Sequence, residues 1–148
     1  MNILISACLL GTSCRYDGLS KPLPQEILNT LTKRYHLIPV CPEVFGGLPT
    51  PRMPAEVQSD RRVIRKDNAD ITAEYQKGAA EALRLVKLFD CKIAILKARS
   101  PSCGKEKIYD GTFSGTLTNK HGITAELLMQ NGIRIITEEE LPHFLNET

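Results

Sequence analysis

Three short apolar runs each end at or just before a cysteine, and this arrangement constrains the fold more than any other feature of the chain. The runs are Ile3-Leu4-Ile5-Ser6-Ala7 before Cys8, Leu37-Ile38-Pro39-Val40 before Cys41, and Ile93-Ala94-Ile95-Leu96 ahead of Ser100-Pro101-Ser102-Cys103-Gly104. Near-continuous apolar runs of strand length suit strands buried on both faces. Longer segments of helical period separate them, so the pattern predicts an α/β fold with a mostly parallel sheet flanked by helices. In open sheets of this kind ligands bind outside the carboxyl ends of the strands. The cysteine-bearing loops are therefore expected to meet at one edge of the sheet and share a thiolate site.

Between these runs the pattern predicts a loop over residues 9–24, a helix over 25–35 and a strand ending at Cys41. Residues 42–54 hold four prolines and two glycines, which argues for a fixed-shape loop without regular structure. A short edge strand is expected at Arg62-Val63-Ile64-Arg65. A long helix follows over residues 72–89, capped by Asp70 or Thr72, with Ala79, Leu83, Val86 and Leu88 or Phe89 on one face. After a strand over residues 92–97, the stretch 101–119 reads as a second functional loop rich in Gly, Ser and Thr. A helix over 124–131 stopped by Gly132, a strand over 133–136 and a last helix opened by Thr137 and residues 138–140 complete the reading.

With 148 residues the chain fits one domain, 1–148, whose single core needs no staples. No stretch approaches the roughly 20 apolar residues of a membrane span. Met1-Asn2 leads directly into a strand with no basic leader segment, so the expectation is a soluble cytoplasmic protein with no membrane partner. The net charge is only +2, and four Phe, four Tyr and no Trp leave little for base stacking, which disfavours nucleic acid as a partner. An odd count of five cysteines in such a chain argues against a disulfide framework and for reduced thiols able to bind metal.

Each cysteine also has a packing explanation, because free Cys is among the most buried residue types. Cys91, beside Phe89, reads as a packing residue, Cys8 and Cys41 stand evenly between the two readings, and Cys103, flanked by Ser102 and Gly104, is expected to be less buried. No CxxC pair marks a zinc ribbon or a thioredoxin-like site, and His36, His121 and His143 lie outside the cysteine loops. Scattered thiolates suit an iron–sulfur cluster at least as well as zinc.

Specific motifs extend this reading. They are Ser6-Ala7-Cys8-Leu9-Leu10-Gly11, Cys14-Arg15-Tyr16-Asp17-Gly18, Cys41-Pro42-Glu43 with Gly46-Gly47-Leu48-Pro49 and Pro51-Arg52, Leu96-Lys97, Ser100-Pro101-Ser102-Cys103-Gly104, and Tyr109-Asp110-Gly111-Thr112-Phe113. Over nearly its whole length the chain resembles the small-domain family that contains the thiouracil desulfidases. The resemblance implies a Rossmann-like domain holding a [4Fe-4S] cluster by three cysteines, with one iron left free to take sulfur from a thiolated pyrimidine. The family ligands map onto Cys8, Cys41 and Cys103, with Cys14 a neighbour that an alternative triad would include.

The implied reaction replaces sulfur by water oxygen and releases sulfide without net electron transfer. Glu43, two residues after a presumed ligand, is the expected proton carrier by that resemblance, and its alternative is a loop carboxylate paired with Arg52. Ser100 is expected to contact the substrate or the water, with Ser102 as the competitor. Asp17 is a candidate for the pyrimidine edge, although Asp-Gly is also an ordinary turn pair and that reading is the stronger. Lys97 and Arg99 are candidates for an anionic group or simply solvated side chains. Two rival functions use the same cysteines: a non-catalytic sulfide or metal carrier holding an iron–sulfur cluster or zinc, and a thiol enzyme with one nucleophilic cysteine.

Overall fold

The apolar runs do become one parallel sheet. The computed structural model describes residues 1–147. In chain order the elements are β1 (Asn2–Ser6), a 3-10 turn (Ala7–Leu10), α1 (Gln25–Arg34), β2 (His36–Val40), α2 (Pro42–Phe45), β3 (Ala55–Val57) and β4 (Val63–Arg65). They continue with α3 (Thr72–Leu88), β5 (Ile93–Leu96), β6 (Ile108–Tyr109), β7 (Leu117–Thr118), α4 (Ile123–Gln130), β8 (Arg134–Thr137) and α5 (Leu141–Glu147).

The main sheet has the order β2-β1-β5-β8 with every pair parallel, and its register sets Ser6 opposite Val40 and Ile5 opposite Ile95. Strand periodicity divides β1 between two cores. Ile3 and Ile5 pack with Leu31 of α1 and with Leu141 and Phe144 of α5, whereas Leu4 packs with Ala82 and Val86 of α3 and Ala125 and Leu128 of α4. Burial of both strand faces is why these runs read as continuous apolar segments rather than alternating ones. Pro39 sits in β2, an edge strand, where the missing ladder donor is tolerated. Among the described residues no helix is long and apolar enough to cross a membrane.

Several expectations are corrected. The proline-rich stretch contains a helical turn, α2, because Pro42 stands at its first position, where a missing N–H costs nothing. Residues 63–65 do not edge the main sheet but pair antiparallel with β3 in a separate hairpin. The buried face of α3 comprises Tyr75, Gly78, Ala79, Ala82 and Val86, while Leu88 and Phe89 at its end are exposed, 64% and 41%. The stretch 101–119 includes a small hairpin, β6–β7. The last helix starts at Leu141; Glu140 instead turns back to accept the Thr137 N–H at 3.2 Å. The cap of α3 is Ile71 rather than Asp70 or Thr72 and has no side-chain cap bond, although Asp70, one residue before it, accepts the Thr72 N–H at 2.9 Å.

Contact between α2 and α3 is unusually close and sets the position of the loop after β2. A Cβ at Gly78 would lie 1.8 Å from the Pro42 carbonyl oxygen, and one at Gly46 would lie 2.0 Å from that of Glu74. Only glycine lets the two backbones meet this way.

Candidate active site

The strand order reverses at β1, the central strand of the three that carry cysteines, so the loops after β2, β1 and β5 leave neighbouring strands at one edge of the sheet. There they surround a cavity of about 480 Å³ lined by Cys8, Cys14, Cys41 and Cys103. All five cysteines are free thiols. Cys91 lies away from the cavity, 2% exposed in the core against α3 and α4, and is the packing residue expected.

The four cavity thiols interact. Burial, then the neighbouring Cys103, Cys14 and Cys41, push the Cys8 thiol up to about 12. Burial and then Cys41 do the same to Cys14, also to about 12. Cys41 donates its S–H to the Cys14 carbonyl oxygen at 3.7 Å. Cys103, contrary to expectation, is 4% exposed; Gly122, where a Cβ would lie 2.6 Å from the Ser102 backbone, lets the 101–104 segment lie close against the start of α4. Burial raises its thiol to about 11, against the pull of two hydroxyls that donate to its sulfur, Ser6 at 3.5 Å and Ser102 at 3.6 Å. Such donors favour the thiolate.

Glu43 lies on α2 with both oxygens engaged. The Tyr75 hydroxyl donates to Oε1 at 2.5 Å, and Arg52 Nη2 donates to Oε2 at 2.5 Å. The Arg52 and Glu43 side chains are only 6% and 14% exposed. Arg52 also donates to the carbonyl oxygens of Cys14, at 3.0 Å, and Pro49, at 3.1 Å, so one guanidinium ties the loop after β1 to the loop after β2. Burial works against its charge, and Glu43 more than restores it. The Glu43–Arg52 pairing weighed from sequence is therefore present, inside the cavity wall rather than apart from it.

The serines form a relay. Ser100 Oγ accepts the N–H groups of Ser102, at 3.2 Å, and Cys103, at 3.1 Å. Ser102 Oγ donates to the Cys103 sulfur, so the 3.0 Å contact between the two hydroxyls is read with Ser100 as donor. Ser102 is 2% exposed and supports the thiol, while Ser100, less buried, stands nearer the open side.

The structure does not bring Asp17 to the cavity. It accepts the Leu19 N–H at 3.0 Å and pairs with Arg15 at 3.3 Å, closing the turn that the Asp-Gly pair also indicated. Lys97 and Arg99 line the cavity but neither is simply solvated: Lys97 Nζ meets Glu138 at 2.6 Å and Arg99 meets Glu139 at 2.8 Å. Sequence reasoning missed Tyr75 and Ser6. A tyrosine on the buried face of a helix reads as core, and Ser6, inside an apolar run, reads as part of the strand; only the motif Ser6-Ala7-Cys8 hinted at it.

The donor set fits an iron–sulfur cluster. Among the described residues no three His, Cys, Asp or Glu side chains are grouped as binding of a single metal ion requires. Four thiols spread around one cavity, one already served by two hydroxyl donors, are soft ligands suited to a polynuclear iron–sulfur group.

Comparison with known proteins agrees with this geometry. The uncharacterized protein YbbK of Bacillus subtilis (strain 168) is 39% identical over 152 residues, covering 97% of this chain and 99% of its own. The solved structure of the [4Fe-4S]-dependent thiouracil desulfidase TudS matches with a TM-score of 0.91 at 44% identity, over 96% of this chain and 93% of its own. With the 2-thiouracil desulfurase model matching residues 3–140 as well, the chain belongs to the 2-thiouracil desulfurase family.

Proposed function

We propose that this protein is a [4Fe-4S]-dependent desulfidase that converts a thiolated pyrimidine, a thiouracil-like base or nucleoside, to its oxo form with release of sulfide. The observation that carries the reading is a cavity whose wall holds thiols from three neighbouring strand ends and a doubly braced carboxylate, Glu43. Cys8, Cys41 and Cys103 would hold the cluster, one from each loop. Cys14, whose backbone carbonyl is taken by Arg52 and the Cys41 thiol, would stand beside it. Held by three thiolates, such a cluster supplies one iron open to a thiocarbonyl sulfur, a soft Lewis acid that makes the attached carbon electron-poor.

The chain's own residues then manage water and protons. Glu43 takes a proton from the water whose oxygen adds to that carbon, and returns it as the carbon–sulfur bond breaks. One water is consumed, sulfur leaves as sulfide, and the carbon keeps its oxidation state. Tyr75 and Arg52, each on one carboxylate oxygen, hold Glu43 in a fixed orientation, so little reorganisation is needed during the reaction. Ser100 turns its hydroxyl from Ser102 toward the substrate or the attacking water, and Ser102 keeps the Cys103 sulfur in place. Five free thiols suit the reducing cytoplasm, which we take as its location. The partner is a small molecule; a net charge of +2 does not fit a nucleic-acid surface.

The test is purification without oxygen, loading with iron and sulfide, and measurement of bound iron and of thiouracil conversion in the wild type and in Glu43→Gln. Conversion in the wild type, with the variant keeping its iron but losing at least about a hundredfold in rate, supports the reading. Iron without conversion of any thiolated pyrimidine points to a carrier, and conversion by metal-free protein points to a thiol enzyme.

A further inference from the structure

The motif Tyr109-Asp110-Gly111-Thr112-Phe113 has no part in the chemistry above, yet the structure fastens it over the same cavity. It forms the end of β6 and the turn toward β7, and both Tyr109 and Phe113 line the cavity. The turn is tied to β3 by side chains. Glu56 Oε1 accepts two N–H groups from it, those of Gly111 at 2.9 Å and Phe113 at 3.1 Å. Gln58 Nε2 donates to the Gly111 carbonyl at 3.1 Å. Gly111 has φ of 97°, a conformation that favours glycine, and a Cβ there would sit tightly, 3.0 Å from the Gln58 side-chain oxygen.

Phe113 itself sits at φ of 56°, a region that is costly for a bulky side chain. Such a conformation persists only where the surroundings over-determine it, and here the Glu56 carboxylate does so by holding the Phe113 N–H. The effect is to keep a flat apolar ring in the wall of the cavity that the four thiols also line. A flat ring is the surface a pyrimidine would stack on.

We propose that Phe113 is the stacking face for the pyrimidine ring and that Glu56, through the two amides it binds, is the residue that positions it. This rests on the pyrimidine reading given above. Glu56 thus differs from Glu43: it binds backbone and shapes the site, and it carries no proton in the reaction.

The experiment uses cluster-loaded protein without oxygen and measures uracil affinity by calorimetry, thiouracil KM and kcat, bound iron, and hydrogen exchange at the Gly111 and Phe113 amides. Phe113→Ala should weaken uracil binding and raise KM about tenfold with iron unchanged, while Phe113→Tyr, which keeps a ring, stays close to wild type. Glu56→Ala should lose a similar factor and speed exchange at both amides, and Glu56→Gln, whose amide oxygen still accepts, should restore both. Phe113→Ala with wild-type affinity and KM overturns the stacking assignment alone. Fast amide exchange in Glu56→Ala without any change in affinity overturns the role of Glu56. A wild type that neither binds uracil nor converts thiouracil removes the pyrimidine reading and this inference with it.

Discussion

Gly78→Ala offers a sharp test of how the site is positioned. On helix propensity alone the substitution in the middle of α3 would stabilise the protein by about 1 kcal/mol. The structure reverses that sign. The new Cβ would lie 1.8 Å from the Pro42 carbonyl oxygen and 2.6 Å from its carbon, both backbone atoms that no rotamer change can move away. Reaching even the 3.0 Å limit of real Cβ contacts requires α2 to retreat from α3 by roughly 1.2 Å. Overpacking of this kind costs about 1–3 kcal/mol, which cancels the propensity gain and leaves a net loss of up to about 2 kcal/mol. The functional effect should be larger, because Cys41 precedes Pro42 and Glu43 follows it. A displacement of about 1 Å at a reacting group can cost on the order of a hundredfold in rate. Urea unfolding should show a lower midpoint with an unchanged slope, and kcat of the cluster-loaded enzyme should fall by about that factor. Equal or greater stability together with unchanged kcat would refute the close approach of α2 to α3 and the argument built on it.

Other outcomes follow from the same geometry. Tyr75→Phe removes the donor to Glu43 Oε1; a hydrogen bond to a charged group is worth about 1.5–3 kcal/mol, so kcat should drop roughly ten- to a hundredfold with bound iron unaffected, and an unaltered kcat would show that Arg52 suffices to orient the carboxylate. Serine in place of Cys8, Cys41 or Cys103 should abolish iron binding, while Cys14→Ser should retain it; iron analysis showing the reverse for Cys8 and Cys14 would move the ligand set to Cys14. In cluster-free protein the thiols of Cys8 and Cys14, raised to about 12, and of Cys103, raised to about 11, keep their protons at a pH where the unfolded chain, at its ordinary 9.0, loses them. Their contribution is complete below about pH 9 and drains away as pH rises toward 11–12. Urea midpoints measured from pH 8 to 10.5 should fall with a slope that Cys8→Ala reduces; a flat profile would mean that the thiols are not buried together.

What the sequence by itself determined was set by local periodicity and chain order. Apolar runs of strand length separated by helical segments specify a parallel sheet, and a cysteine after each of three such runs places sulfur at its carboxyl edge, because β1 lies between β2 and β5. Helix α1 and strand β5 were legible for the same reason, as was the packing role of Cys91. Tertiary structure decided the features that depend on residues far apart in the chain. A buried tyrosine on α3 is indistinguishable in sequence from core until its hydroxyl meets Glu43, 32 residues away. Arg52 became a bridge between two loops only when the loops were folded, whereas the turn at Asp17 was already indicated by its Asp-Gly pair. The burial of Cys103, the meeting of Gly78 with Pro42 and the hold of Glu56 on Phe113 are likewise contacts between separate segments. Periodicity records which face of an element is buried but carries no information about which buried polar group meets which, since that depends on how the layers pack.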